Sequence, residues 1–287
     1  MMRSNQPDMI EALPCGSLIQ HGRSNDRIYL MKPPESLPDD LPEKLIAKAR
    51  ELGYSKIFAK IPDAAAERFL QAGYTAEAVI HGFFRRAADC FFMGYFLDKK
   101  REIEKNQPDL ERILDQANEK ADTPLPVLKP EFSIRICKDA DIRKMVKIFQ
   151  KVFDSYPFPV YDPNYLLETM HNHVIYFGVF IGDKLVALSS SEIDATSATA
   201  EMTDFATLPE WRGHSFASHL LTAMEQSLRQ HGIQTAYTIA RAISPGMNTA
   251  FARMGYKLAG QLKNNTNISG GIESMNVWYK PMSPIPK

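Results

Sequence analysis

The pattern that most narrows what this chain can fold into is a repeated order of turns. Arg50-Glu-Leu-Gly53 and Arg229-Gln-His-Gly232 each close a helical stretch ahead of a strand-like one, and their glycines stand 179 positions apart. Phe69-Leu-Gln-Ala-Gly-Tyr74 and Phe251-Ala-Arg-Met-Gly-Tyr256 close the next helix in each half, 182 positions apart. Two strand-like runs follow both. Near-equal offsets over matched helix–strand–helix–strand–strand orders point to one fold element present twice. A length of 287 residues agrees with two domains.

The remaining periodicities fill in this frame. Ser17–Gly22 and Arg27–Met31 read as short strands around a Ser24-Asn25-Asp26 turn. The spacing of Leu41, Leu45, Ile46, Ala49 and Leu52 predicts a helix that Gly53 stops. Lys56–Ile61 alternates as a strand, Asp63 caps a second helix through Ala72 that Gly73 ends, and 76–84 and 89–97 are aromatic strands. The stretch 98–121 is charged and helix-compatible, with Pro108 breaking it or starting a new helix. The run Asp122–Pro130 holds three prolines and reads as a stiff linker. The expected organisation is therefore an N-terminal domain over 1–121, a linker over 122–130 and a second domain over 131–287. In the latter, 133–137, 174–181, 185–193, 199–207, 234–240, 258–263 and 273–280 read as strands. Helices are expected over 139–153, 165–170, 215–230 and 245–254. The fold class is a mixed-sheet α/β arrangement.

Composition removes several functions. Lys+Arg and Asp+Glu are both 34, so the basic excess of a sequence-independent nucleic-acid binder is missing. The longest apolar run, Cys90 to Leu97, is too short to span a bilayer, and the N-terminal run lacks the apolar core of a signal peptide. Three scattered cysteines with no CxxC argue against a disulfide framework or a cysteine zinc site, and the expected compartment is the reducing cytoplasm. No metal is expected; His171-Asn-His173 lacks further ligands.

The chemistry concentrates in Glu201 to Ala217 (EMTDFATLPEWRGHSFA), a strand, a short loop with Arg212-Gly213 and a helix start. Small residues at such a turn leave backbone N–H groups and the positive helix end to face a phosphate. Arg212-Gly-His-Ser-Phe-Ala217 resembles the R/Q-x-x-G-x-G/A motif of the GCN5-related N-acetyltransferases. The lead-in 207–211 and Asn248-Thr-Ala-Phe-Ala-Arg-Met-Gly-Tyr256 are similar to that family as well. Within it the chain looks most like the β-lysine N-acetyltransferases, through 201–206, the Tyr-Pro-Phe-Pro loop at 156–159 and the extra N-terminal region. The resemblance implies a C-terminal GNAT fold preceded by a degenerate, partial GNAT-like domain. It implies acetyl transfer from acetyl-CoA, as co-substrate, to a primary amine. The implied acceptor is the side-chain amine of β-lysine, giving a compatible solute used in osmoadaptation. Other acceptors in the same chemistry are another small amine, a polyamine or a protein lysine. A non-catalytic acyl-CoA-binding regulator is the alternative of a different class.

The resemblance also implies roles. Arg212, Gly213, His214, Ser215, Phe216 and Ala217 would cradle the pyrophosphate, and the Phe205 amide would face the thioester oxygen. Ala206 and Thr207 would pair the pantetheine arm, and Asn248 would contact the cofactor. An alkylammonium, with a pKa near 10.4, must lose a proton before it attacks. Glu201 is the candidate base, on one strand face with Thr203, Phe205 and Thr207, while Asp204 points the other way unless a bulge re-aims it. Tyr156, Phe158, Tyr161, Glu192 and Asp204 are acceptor-side candidates, as aromatic and acidic partners for a cationic chain. Two departures stand out: Ser215 where the motif has glycine, and Phe251 where many members place a proton-donating tyrosine. Expected partners are a small-molecule amine, with no nucleic acid or membrane; a dimer surface or a lid are the roles open to the N-terminal half. Its loop Lys32–Asp40 is acidic and proline-rich where the motif would stand. One acetyl-CoA per chain is therefore expected by calorimetry, and two would refute a single active site.

Overall fold

A computed structural model describes residues 8–34 and 36–282; Glu35, the first seven residues and the last five lie outside it. The contacts divide the chain into two units, along other lines than 1–121, 122–130 and 131–287. One unit holds 8–107 together with 155–158 and 259–275; the other holds 108–154, 159–258 and 276–282.

In the first unit the elements are β1 (Met9–Ala12), β2 (Leu18–Gly22), β3 (Arg27–Lys32), α1 (Leu41–Glu51), β4 (Lys56–Pro62), α2 (Asp63–Gln71), β5 (Thr75–Phe84) and β6 (Ala88–Phe96). Its strand order is β1-β2-β3-β4-β6-β5, then the part of β12 (Lys257–Ile268) from 259 onward. Only β3 and β4 run parallel, from Arg27↔Lys56 to Leu30↔Ala59. Pro42 at the start of α1 fits a position whose N–H has no helical partner. Its apolar stripe, Leu41, Leu45, Ile46 and Ala49, packs with Ile28, Leu30, Ile57 and Ala59 from the sheet. Asp63 is the first helical residue of α2 and not its cap; Pro62 holds that place.

Three buried cations of this unit grip successive carbonyls of β12. Lys56 Nζ donates to the Lys263 oxygen at 2.7 Å, Arg101 Nε to that of Asn264 at 2.9 Å, and an Arg27 guanidinium nitrogen to that of Asn265 at 2.6 Å. Glu77 joins them: its carboxylate lies 2.8 Å from Lys56 Nζ and accepts the Lys263 N–H at 2.7 Å. Burial pushes the Lys56 ammonium down to about 8, against the pull of Glu77.

The second unit contains α3 (Gln107–Glu119, from Pro108 onward), β7 (Phe132–Ile136), α4 (Ile142–Val152), α5 (Pro163–Asn172), β8 (Val174–Ile181), β9 (Lys184–Asp194), β10 (Thr199–Thr207), α6 (Phe216–Gln230), β11 (Thr235–Arg241) and α7 (Pro245–Arg253). Its strands follow the order β13-β11-β10-β9-β8-β7, with β13 (Gly271–Pro281) entering at 276. The α6 face of the sheet is sealed by Leu220, Leu221, Met224 and Leu228 against Phe177, Val179, Ala187, Ala200 and Met202. Among the described residues no helix is long and apolar enough to cross a membrane.

The twofold order read from the sequence is present: α1-β4-α2-β5-β6 and α6-β11-α7-β12-β13, each beside one parallel strand pair. The hairpin of β12 and β13 is longer than expected, and β1 had no signal in the periodicity. The Glu77–Lys56 pair yields a test of stability. Glu77→Leu should cost about 3 to 5 kcal/mol in urea unfolding, because it strands a buried ammonium, and adding Lys56→Met should recover most of it. Equal losses in single and double variants would show that the pair is not coupled.

Candidate active site

β10 pairs with β11 from Thr199↔Thr235 to Glu201↔Tyr237, and among the described residues that ladder goes no further although both strands continue. On its other side β10 stays paired to β9 as far as Thr207↔Ala187, with a register shift between Thr203 and Ala206. Three steps on β10 match two on β9, which is a β-bulge at Asp204 and Phe205. Asp204 takes the left-handed conformation, φ 55°. A non-glycine residue held there is strained, and such strain collects at functional sites.

The bulge reverses the strand's facing. Glu201 and Thr203 lie in rows with Glu192 and Ser190 of β9. Asp204 is re-aimed onto that face, where Ser190 Oγ donates to its carboxylate at 2.6 Å. Phe205 does not share the face of Glu201, as unbroken alternation would have it. It turns to the α6 side, its ring edge-on to buried Phe251 at 5.6 Å.

Backbone direction follows from one hydrogen bond. The Leu208 N–H donates to the Val186 carbonyl of β9 at 3.0 Å. Narrow and wide pairs alternate in an antiparallel ladder, so Ala206↔Leu188 is hydrogen-bonded and Thr207↔Ala187 is not. The polar backbone of Ala206 thus belongs to β9, while Phe205 and Thr207 border the gap toward β11.

The strand then runs into an anion cradle. Gly213 has φ 87° and Ser215 has φ 57°. Two left-handed positions separated by one residue fold successive N–H groups into a concavity, a backbone nest. Among the described residues the N–H groups of 213 to 217 donate to no protein acceptor, whereas Ser218 and His219 donate back to Ser215. A Cβ on Gly213 would meet no atom of the protein, and the positive φ is what favours glycine there on the protein's side. Ser215 occupies the cap position of α6 but makes no side-chain cap bond. Phe216 is buried and offers only its N–H. His214 stacks on Phe216 at 5.2 Å and meets Phe132 at 5.4 Å, so its ring is part of an aromatic cluster with Trp211. Arg212 is exposed beside the nest. Five donors and a helix N-terminus fit a pyrophosphate.

Asn248 sits among protein partners. It is fully buried; its amide nitrogen donates to the carbonyls of Arg241, Ala242 and Ser244, and its oxygen accepts from Asn276 and Trp278. Phe251 puts a buried phenyl ring where a hydroxyl was to be sought.

On the acidic face, the Tyr237 hydroxyl donates to Glu201 Oε2 at 3.0 Å. Glu192 stands opposite Glu201, with His173 at 3.7 Å. Burial, and then the charge of Asp204, raises the phenols of Tyr165 and Tyr176, so both stay neutral. His171 pairs with Asp139, and among the described residues no group of three metal-ligating side chains occurs. Of the loop candidates, Tyr161 donates its hydroxyl to the Phe153 carbonyl in this unit. Tyr156 and Phe158 group with the first unit, where Gln20 donates to the Pro157 carbonyl. Tyr237 and Ser190 were missed by sequence reasoning. Nothing in the residue order announces which rung of β11 or β9 faces Glu201 or Asp204.

The profile of the Acetyltransferase (GNAT) family matches residues 142–256, the span from α4 to the end of α7. The β-lysine N6-acetyltransferase of Methanococcus maripaludis is 38% identical over 92% of this chain and 96% of its own length. N-acetyltransferase YodP of Bacillus subtilis is 31% identical over 93% of this chain and 96% of its own. The β-lysine N6-acetyltransferase of Methanosarcina mazei is 31% identical over 83% and 94%. The nest gives a direct test. Gly213→Ala should weaken coenzyme A binding about tenfold in calorimetry, since a left-handed Cβ costs about 1 to 2 kcal/mol. Unchanged affinity would mean that these amides do not hold the phosphates.

Proposed function

Because this chain belongs to the acetyltransferase (GNAT) family, we propose that it transfers acetyl from acetyl-CoA to the side-chain amine of β-lysine, with the reaction centred on β10 of the second unit. The observation that carries the chemistry is that one strand bears a carboxylate at the last rung of a ladder and runs directly into the nest at 213–217. Acetyl-CoA, as substrate, supplies an activated thioester.

The chain's own groups do the rest. The amides of 213 to 217, with Arg212, hold the pyrophosphate. The backbone of Phe205 and Thr207 pairs the arm lying along the gap, and the Phe205 N–H faces the oxygen that gains charge as the amine adds. Glu201 takes the ammonium proton, after which the nitrogen forms its bond to the acetyl carbon and the carbon–sulfur bond breaks. Phe251 offers no proton, so the departing thiolate, intrinsically a good leaving group with a thiol pKa near 8.5, is protonated from solvent. Asn248 acts at a distance by fixing the loop between β11 and α7 to β13. Glu192 and Asp204 supply negative charge for an acceptor that carries two ammonium groups. Acetylation of one of them leaves β-lysine with one positive and one negative charge, a net-neutral amino acid suited to accumulation as a compatible solute in the cytoplasm.

The first unit we read as a worn copy of the same fold without its chemistry. The rungs Arg27↔Lys56 and Thr199↔Thr235 open the two parallel ladders, and Lys56 and Thr235 share the 179-residue offset of the glycine turns. At the third rung Tyr29↔Phe58 stands where Glu201↔Tyr237 does.

Thiol release from acetyl-CoA tests the reading. β-Lysine should exceed α-lysine, spermidine and a lysine peptide in kcat/KM by about tenfold or more. Glu201→Gln should lower kcat by about 10² to 10⁴. A full rate in that variant across the pH range would remove Glu201 from the base role, and silence with all four amines would overturn the acceptor.

A further inference from the structure

We propose that Tyr237 is a positioning residue for the transfer, holding the Glu201 carboxylate at the angle from which it meets the acceptor's ammonium. The inference rests on the reading of Glu201 as the base. It starts from an electrostatic problem. Glu192 and Glu201 face each other across β9 and β10, and Asp204 is turned onto the same side three residues on. Like charges directly opposite in a ladder repel. A glutamate side chain turns about three bonds, and such neighbours push it to swing away. The Tyr237 hydroxyl, 3.0 Å from Oε2, opposes that swing. It can do so because Tyr237 is itself rigid: its side chain is buried, and its backbone is locked in the last rung of the parallel ladder. The rung places the donor where the two strands begin to part, at the edge of the gap that would receive the thioester.

The other unit offers an internal comparison. At the equivalent rung Tyr29 replaces the glutamate and Phe58 replaces the tyrosine, and the two rings stack at 4.6 Å. Neither the carboxylate nor the hydroxyl opposite it stands in its place at this rung. A phenyl ring is therefore compatible with this place in the fold, and the hydroxyl of Tyr237 is kept where an acid has to be aimed.

Tyr237→Phe removes only the donor. It should lower kcat by about 10- to 100-fold while KM for both substrates stays within about twofold, because misplacing a reacting group costs rate and not ground-state binding. Thermal unfolding should stay close to wild type. In the Glu201→Gln background the same change should add nothing further. A wild-type kcat in Tyr237→Phe, or a full further loss on top of Glu201→Gln, would overturn the positioning role while leaving the base in place. A fully active Glu201→Gln would instead overturn the base, and this inference with it.

Discussion

The structure of the second unit turns on the place where β10 leaves β11. Up to Glu201↔Tyr237 the strand is an ordinary sheet member, with both edges paired. Beyond it one edge opens, and the bulge at Asp204 and Phe205 keeps the other edge attached to β9 in a new register. A strand released on one side retains N–H and C=O groups that require partners. An extended ligand chain laid into the opening can supply them. The same bulge sends Asp204 to the acidic face and Phe205 to the α6 side. One inserted residue thus sends two adjacent side chains to opposite faces of the sheet, which the proposed function reads as the acceptor side and the cofactor side. The loop that follows delivers the chain to α6 with two left-handed residues and five unused N–H groups.

The first unit repeats the parting of its parallel strands one rung later, with a register shift of β3 against β2 beside it, and differs in the approach to its helix. Its β3 and β4 pair through four rungs, and its approach to α1 runs through Lys32-Pro33-Pro34 and an Asp39-Asp40 pair, where prolines withhold N–H groups and acids repel phosphate. What it gains is a buried cationic grip on β12. Lys56, Arg101 and Arg27 reach three successive carbonyls, those of Lys263, Asn264 and Asn265. Charges so deep are costly unless every hydrogen bond is made, and Glu77 offsets part of the cost. The grip ties residues 259–275 into a unit formed otherwise by 8–107 and the short segment 155–158.

Much of this was legible in the order of residues. Helical spacing and glycine stops set α1, α2, α6 and α7 to within a residue or two, and the matched offsets disclosed the duplication. Arg212–Ala217 marked the nest because glycine and small residues at a strand–helix turn have a backbone meaning. The bulge entered the sequence reading only as a condition on Asp204: the run Glu201 to Thr207 does not say which residue is extra, and the ladder with β9 does. Cross-strand partners were hidden for the same reason, so Tyr237 and Ser190 went unnoticed. The partners of Asn248 were hidden as well, because Trp278 and Asn276 come from a distant strand. Tyr156 and Phe158 sit on a loop of the second half in sequence, yet the hydrogen bonds of Ser155 and Pro157 draw that loop into the first unit.

The central claim is that one cofactor lies along β10 and ends on the nest, and amide hydrogen exchange measured with and without acetyl-CoA tests it most directly. The account predicts slowed exchange at Phe205, Thr207 and the amides of 213 to 217, with no change over 36–41 in the first unit. Slowed exchange at 36–41, or unaltered exchange at 213–217 in a saturated complex, would contradict it.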